Sequence, residues 1–277
     1  MSGRRRRRPS ALALVSLVVL AALYAPLVLV VANSVNADSL MLGWGGFTTD
    51  WYRQALGNGD VRGALWVSVQ VAVLSTAFSL AVAVAAALWA RRARARGRRL
   101  LDATTYMRII MPETVVAIGL FLLLRRYDVT LGLATIVVGH VVFNSAYATI
   151  VIQARMATLS TALEEAAADL GATPWRAFRR VTLPLLAPAI LAAGLLVFSF
   201  SFDDVVTSLF LGGPDAQTLP VLLLGLIRLH VTPEVNAIGV LIILTTTVLL
   251  GLAAGVSSVR AAAGARVEAA AGEGGTP

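Results

Sequence analysis

The sequence predicts an all-α membrane protein with six transmembrane helices. Of its 277 residues, 58% are hydrophobic and only 14% are charged, and the mean hydropathy is +0.80. A soluble domain of this length cannot bury so much apolar surface, which indicates that a lipid bilayer is the solvent. Six apolar runs, each close to the roughly 20 residues that a helix needs to cross a bilayer, predict the spans. They lie at about 11–32, 65–90, 103–124, 131–152, 185–208 and 235–256.

The first run follows a short basic head. Residues 1–10 carry the arginines Arg4 to Arg8 and precede an apolar stretch, a pattern shared with secretory signal peptides. The apolar core of a signal peptide is typically about 7–15 residues, so the longer run 11–32 favours a retained first helix. Residues 11–260 are predicted to form one transmembrane domain. The Ala-, Gly- and Glu-rich segment 261–277 is predicted to be a disordered tail.

Two of the connections contain more than a turn. The connection 33–64 is polar and aromatic, with Trp44 and Trp51, and predicts a loop that leads into a short surface helix at the membrane boundary. The apolar stretch 221–229 is too short to cross the bilayer and is predicted to lie at its interface.

The distribution of arginine predicts the orientation. The chain has no lysine, and with the spans as drawn 17 arginines lie in the head, the tail and alternate connections, against five in the remaining connections. Basic residues in short loops stay on the cytoplasmic side, so both termini and the segment 153–184 are expected to be cytoplasmic. The net charge of +8 is thereby explained by topology, and no nucleic-acid partner is predicted.

The polar segment 153–184, named here the elbow, predicts two short helices that meet at a sharp corner. Gly171 is expected to end the first helix because glycine adopts the left-handed cap conformation without steric cost. Thr173 offers an N-cap oxygen, and Pro174 occupies the first helical position, where a missing N–H is harmless. Leu183 and Pro184 are expected to end the elbow and to begin the fifth run.

The sequence shows no catalytic constellation. Nucleophile triads, phosphate loops and metal-ligand spacings are not found, His140 and His230 lie far apart, and there is no cysteine. An enzymatic role is therefore disfavoured. If ATP drives this protein, another chain must bind it.

The informative polar residues are acids at membrane depth, where a charge is costly and by default suggests function. Glu113 follows Pro112 near the middle of the third run and is a candidate for a transport path. It could instead satisfy backbone groups that the proline frees, or pair with Arg108. Asp203 and Asp204 close the fifth run near the outer face, where they either line a path or form an exposed helix end.

Several neighbours could complete a polar path for a cation. Ser201 and the aromatic residues beside it precede the acid pair, and Trp44 and Trp51 are predicted on the same outer side as Asp203. An aromatic face next to a carboxylate suits an ammonium ligand, because cation–π attraction contributes about 0.5–2 kcal/mol. The two tryptophans are equally consistent with an interfacial aromatic belt.

The elbow resembles a known family of membrane proteins. Glu165-Ala166-Ala167, then Gly171, then Val181-x-Leu183-Pro184 resembles the cytoplasmic EAA loop of ABC-importer permeases. The resemblance implies that the elbow docks into a groove of an ATPase subunit and transmits its motion; an ordinary amphipathic hairpin is the alternative. The coupling residues implied are Glu164, Glu165, Ala166, Ala167, Asp169, Gly171, Trp175, Phe178, Leu183 and Pro184.

A wider resemblance extends over most of residues 24–250. The segments Gly43-Trp44-x-Gly46-Phe47, Pro112-Glu113-Thr-Val, Asp203-Asp204-Val-Val and Pro233-Glu234-Val-Asn236 resemble the PotC-type spermidine/putrescine permease family. This resemblance implies the type I permease fold of ABC importers and a place in a bacterial cell membrane. It also implies three partners: a second permease subunit, a cytoplasmic ATPase dimer that binds ATP and Mg, and an extracytoplasmic polyamine-binding protein. No cofactor is expected on this chain. The implied substrate-path residues are Trp44, Trp51, Glu113, Ser201, Asp203 and Asp204.

Other functions remain open at the level of sequence. Related importers for opines, amino-acid-like compounds or iron share the elbow, so the mechanism is better defined than the substrate. An importer for anions would place basic residues in the path, whereas the candidates here are mainly acids. A stand-alone carrier or channel would not need the elbow.

Overall fold

The computed structural model of the chain describes residues 11–229, 231–249, 251 and 255. The predicted head 1–10 and tail 261–277 lie outside these residues. In the described part, the only strand-like pairing is an isolated antiparallel bridge between Asn36 and Phe47, and helices dominate. The helices are α1 (Ala11–Ser34), α2 (Asp50–Gly57), α3 (Gly59–Arg92), α4 (Ala95–Ile110), α5 (Glu113–Arg126), α6 (Leu133–Ala157), α7 (Ala162–Asp169), α8 (Pro174–Ala177), α9 (Leu183–Phe202), α10 (Val206–Leu211), α11 (Leu219–Leu229) and α12 (Pro233–Leu249).

Four helical stretches of the described chain are long and apolar enough to cross a membrane. They are Ala13–Ser34, Gly59–Arg92, Leu133–Ala157 and Pro174–Phe202, with mean hydropathies between 1.7 and 2.8. The bent pair α4 and α5 brings the number to five if it is counted as one span. The sixth predicted run, 235–256, corresponds to α12, described continuously over Pro233–Leu249; residues 251 and 255 are also helical, and the rest of the run lies outside the described residues.

The third predicted run, 103–124, is not one straight helix. α4 ends at Ile110, α5 begins at Glu113, and the two helices are bent by 101° relative to each other. The cause is Pro112, which has no N–H to donate and disfavours helical backbone in the residue before it. Met111 accordingly adopts extended backbone, with φ −66° and ψ 132°. Glu113 therefore lies at the beginning of a helix, directly after the bend, rather than inside a straight helix.

The core of the bundle is formed by α3, α6 and α9. Small residues let these helices approach closely, as is usual for helices that pack inside membranes. The buried cluster contains Ala83, Ala87, Ala148, Ile152, Met156, Leu186, Ala193 and Val197. By contrast, the apolar side chains of α1 remain exposed on this chain.

The short helix α10 packs against α5 and α6 where Gly139 leaves room for it. A Cβ at Gly139 would overlap with Leu211 and would lie 2.6 Å from the Thr207 methyl group. α10 directly follows Asp203 and Asp204, so this close approach also places the acid pair against α6.

The elbow contains the predicted corner. α7 ends before Gly171, which has a φ of +78°, and the hydroxyl of Thr173 accepts a hydrogen bond from the backbone N–H of Arg176. Pro174 begins α8, as predicted. These three features confirm the predicted local geometry of the corner.

Leu183 and Pro184 begin α9, as expected, but no break separates this helix from the elbow. α8 continues through a π-helical turn, Phe178–Thr182, directly into α9, and gives one continuous helix, Pro174–Phe202. In this turn the N–H of Leu183 donates to the carbonyl of Phe178, five residues earlier. The shifted hydrogen-bond pattern lets the helix pass Pro184 without a break.

Candidate functional site: an acidic cavity in the helix bundle

A cavity of about 410 Å³ opens where α5 begins and α9 ends. Its wall combines acidic, aromatic and neutral polar side chains with the backbone segment that leads into α10. The lining residues are Glu113, His140, Phe143, Asn144, Tyr147, Phe200, Asp203, Asp204, Val205, Val206 and Thr207. Three of the six predicted substrate-path residues, Glu113, Asp203 and Asp204, are thus brought together.

The two adjacent aspartates have different surroundings. Asp204 accepts hydrogen bonds from the hydroxyl and the backbone N–H of Ser208, at 2.9 and 2.8 Å, and its Oδ1 lies 3.0 Å from Nε2 of His140. Its side chain is 8% exposed. Asp203 caps the end of α9, is exposed, and its carboxylate has no hydrogen-bond or ion-pair partner on another described residue. Of the two aspartates, Asp203 therefore has the more accessible carboxylate.

His140 connects the acid pair to the interior of the bundle. Its Nδ1 lies 2.5 Å from the hydroxyl of Ser201, which lies 2.8 Å from the hydroxyl of Ser75 on α3. A neutral imidazole that donates from Nε2 to Asp204 accepts at Nδ1, so the serine hydroxyl donates to it. Ser201 is therefore part of a buried hydrogen-bonded chain and does not line the cavity. No local sequence pattern indicates the role of His140, because its partner Asp204 is 64 residues away.

Glu113 is held by α10 and not by the arginine considered as its partner. Its Oε1 accepts a hydrogen bond of 3.0 Å from the hydroxyl of Thr207. Arg108 donates instead to the hydroxyl of Ser145 at 2.8 Å. Glu113 also lies in the first turn of α5, where the helix dipole favours a negative charge. The bend at Pro112 thus turns Glu113 toward the acid pair.

Three aromatic rings form one side of the cavity. The rings of Phe143 and Tyr147 on α6 are 5.5 Å apart, and those of Tyr147 and Phe200 on α9 are 5.1 Å apart with an edge-to-face arrangement. Phe143 and Tyr147 are four residues apart and so share one face of α6. This spacing could have indicated an aromatic wall in the sequence, but nothing in the sequence pointed to the cavity. Aromatic faces beside carboxylates form a suitable environment for an ammonium group.

The two predicted tryptophans lie elsewhere on this chain. Neither Trp44 nor Trp51 lines the cavity: Trp44 is exposed, and the indole Nε1 of Trp51 donates a 2.8 Å hydrogen bond to the carbonyl of Asn36. Trp51 thereby helps to hold the loop between α1 and α2. In the same loop the backbone N–H of Leu40 lowers the pKa of Asp38 by donating to its carboxylate.

The elbow lies against the end of α3. Both of its adjacent glutamates line a groove of about 280 Å³, together with Arg91, Arg92 and Phe178. Glu164 is partly buried and pairs with Arg91, whereas Glu165 is exposed and forms no ion pair with another described residue. The groove is also lined by Leu88, Ala168, Ala172, Pro174 and Ala177. The other predicted coupling residues are all at least partly exposed. They include the exposed residues Ala166, Asp169, Gly171 and Pro184 and the partly exposed residues Ala167 and Leu183.

An aromatic pair projects from the elbow. Trp175 is 67% exposed, and its ring centroid lies 5.4 Å from that of Phe178. The elbow thus presents a large apolar side chain on a rigid helical support. No group of three or more His, Asp or Glu residues in the described part of the chain could hold a metal ion.

Comparisons with known proteins agree with this arrangement. Residues 79–261 match the family model described as "Binding-protein-dependent transport system inner membrane component". The chain is 36% identical over 228 residues to the putrescine transport system permease protein PotI of Escherichia coli (strain K12), with 80% of this chain and 81% of that protein covered. It is 34% identical over 235 residues to the spermidine/putrescine transport system permease protein PotC of Haemophilus influenzae, with 85% and 91% covered.

A solved structure supports the fold. One chain of a bacterial ABC transporter involved in the import of the acidic polysaccharide alginate superposes with a TM-score of 0.68 at 18% identity, with 90% of this chain and 94% of that chain covered. The predicted class, a helical permease of the type found in ABC importers, is thereby confirmed. The chain belongs to the family of inner-membrane components of binding-protein-dependent transport systems.

Proposed function

We propose that this chain is one permease subunit of an ATP-driven importer and that its acidic cavity lines part of the path for a polyamine. Two relatives are named as permeases of putrescine and of spermidine/putrescine transport systems, and these names support this substrate class. The chemistry of the cavity supports it independently, because acids and aromatic rings line it and no basic side chain other than His140 does.

The observation that carries the proposal is the unpaired carboxylate of Asp203 at the cavity. It is exposed next to Phe200 and Tyr147, while its neighbour Asp204 is occupied by His140 and Ser208. A primary ammonium group could pair with Asp203 and lie over an aromatic face, and a polyamine carries at least two such groups. Glu113, on the opposite element α5, provides a second acid for the same molecule.

The elbow is the proposed connection to the energy source. The sequence contains no phosphate loop, so ATP and Mg would be bound by a separate ATPase on the cytoplasmic side. Trp175 projects from the elbow, and Glu165 lines the groove beside it; both are suited to contact such a partner. In this arrangement both termini are cytoplasmic, a second permease subunit completes the path, and an extracytoplasmic binding protein delivers the solute.

The test is an assay of ATP hydrolysis in the assembled importer. The chain is co-expressed with a candidate second permease, ATPase and binding protein from the same organism, purified through a tag on this chain, and reconstituted in lipid. We expect ATPase to co-purify and its rate to rise with binding protein loaded with putrescine or spermidine, but not with an anionic solute. Solute movement without ATP would contradict the importer, and stimulation by an opine, an amino acid or iron alone would contradict the polyamine.

A further inference from the structure

Glu164 is the only residue of α7 whose side chain connects the elbow to two spanning helices. Its Oε1 accepts a hydrogen bond of 3.0 Å from the guanidinium of Arg91, at the end of α3. The same oxygen accepts a hydrogen bond of 2.6 Å from the hydroxyl of Thr182, at the end of the π-helical turn that leads into α9. One carboxylate oxygen thus joins α7 to the end of α3 and to the π-helical turn that continues into α9.

The surroundings of this contact make it well ordered. Thr182 is buried, and the side chains of Arg91 and Glu164 are 16% and 29% exposed. Arg91 is fixed from a further side, because its guanidinium lies 3.5 Å from the carbonyl of Leu159 in the connection between α6 and α7. Hydrogen bonds to charged groups in partly buried positions are shorter and stronger than neutral ones.

α7 has little else to hold it. The helix is only eight residues long, and none of its residues is buried. An isolated helix of this length is unstable in water, and apolar packing contributes little to its attachment. Its orientation relative to the bundle therefore depends largely on the Glu164 contacts and on the corner at Gly171.

We propose that Glu164 is a positioning residue that fixes α7 to the end of α3 and to the π-helical turn before α9, while its neighbour Glu165 remains free for the ATPase. Force applied to α7 then passes through one carboxylate to both helices, one of which carries Ser75 and the other Ser201 of the buried chain below the cavity. This proposal rests on the proposed ATP-driven import. It gives Glu164 a different role from the direct ATPase contact that the sequence resemblance implies.

A charge exchange tests the proposal. Arg91→Glu and Glu164→Arg each place two like charges together, and the double variant restores an opposite pair. We expect each single variant to lower the amount of solute imported per ATP hydrolysed by about tenfold and the double variant to recover most of that loss, since contacting residues couple. Arg96→Glu, an exposed residue of α4, is the matched control and is expected to leave the ratio unchanged.

The position of α7 can be measured without any transport. The chain has no cysteine, so spin labels at Ala168→Cys and Arg96→Cys report the distance between α7 and α4 in the assembled importer, built with cysteine-free partners. We expect the distance distribution to broaden in Arg91→Glu, in Glu164→Gln and in Thr182→Val. We expect the distance distribution to narrow again in the double variant Arg91→Glu/Glu164→Arg.

Two results would overturn the proposal. One is an unchanged distance distribution in all three of these variants; the other is a double variant no better than either single variant in both measurements. The distance between the two spin labels is measured without nucleotide or solute. If the parent importer fails to import polyamine, that result contradicts the proposed function, and the distance measurement still decides the role of Glu164.

Discussion

Nε2 of His140 lies 3.0 Å from Oδ1 of Asp204, and this contact joins the middle of α6 to the segment between α9 and α10. The pair is almost fully buried, with side-chain exposures of 2% and 8%. Asp204 also accepts from the hydroxyl and the backbone N–H of Ser208 and so caps the first turn of α10. Asp204 therefore holds the cavity wall together, whereas the carboxylate of Asp203 beside it remains exposed at the cavity.

Replacing Asp204 is expected to destabilise the chain. Asp204→Leu leaves the imidazole of His140 and both donors of Ser208 without their acceptor, and each unsatisfied buried group costs about 1–3 kcal/mol. We expect a clear fall in the midpoint of thermal unfolding in detergent. Asp215→Leu, at an exposed aspartate without a described partner, is the control. It should change the free energy of unfolding by no more than about 0.5 kcal/mol and so leave the midpoint close to that of the parent. Equal midpoints for the two variants would contradict this role of Asp204.

The close approach of α10 to α6 should not tolerate a side chain at position 139. Gly139→Ala places a methyl group against Leu211 and Thr207 and forces α10 outward, at a cost of about 1–3 kcal/mol. Gly119→Ala in α5 meets open space and should be neutral or stabilising, because alanine is the better helix former. Thermal unfolding of both variants, with polyamine uptake as a second measurement, checks the difference. If Gly139→Ala unfolds at the parental midpoint and keeps parental uptake, then α10 does not pack closely against α6 at this position.

The corner of the elbow requires a left-handed backbone conformation at position 171 but leaves room for a side chain there. A Cβ at Gly171 meets nothing within 4 Å, so substitution acts only through its φ of +78°. We expect Gly171→Val to disturb assembly with the ATPase, because this backbone conformation costs a β-branched residue about 1–2 kcal/mol or more. Gly171→Asn should be tolerated, since asparagine enters the same region readily. Both variants should insert in the membrane normally. Co-purification of the ATPase is the measurement, and equal yields for the valine and asparagine variants would contradict the prediction.

The aromatic wall should contribute to solute affinity. Phe200→Leu keeps an apolar side chain but removes the ring that can face an ammonium group, a loss of about 0.5–2 kcal/mol. We expect the KM for polyamine uptake to rise about 2- to 30-fold with little change in chain stability. The control is Phe78→Leu on an exposed face of α3. If the two variants share the parental KM, the ring does not contact the solute.

The elements that local chemistry determines were predictable from the sequence. The corner at Gly171, the cap at Thr173 and the apolar runs of α3, α6 and α9 each depend on residues close together in the chain. The acids Glu113, Asp203 and Asp204 could be selected because charge inside an apolar run is unusual.

What the sequence could not show depends on distant contacts. The distance between His140 and His230 in the sequence argues only against a metal site, and nothing near His140 indicates that it joins Ser201 to Asp204. The bend at Pro112 was underestimated, since a proline in an apolar run can either kink or break a helix, and neighbouring packing decides which. The continuation of the helix past Pro184 depended on a π-helical turn that has no clear sequence pattern.

The central claim is that the free carboxylate of Asp203 contacts the solute during ATP-driven import. The most direct measurement is the concentration dependence of polyamine uptake into proteoliposomes that contain the assembled importer with ATP inside, carrying Asp203→Asn or, as control, Asp215→Asn. We predict that both variants assemble, that Asp203→Asn raises the KM or abolishes uptake, and that Asp215→Asn matches the parent. Parental uptake by Asp203→Asn, in an importer that assembles normally and depends on ATP, would contradict the account.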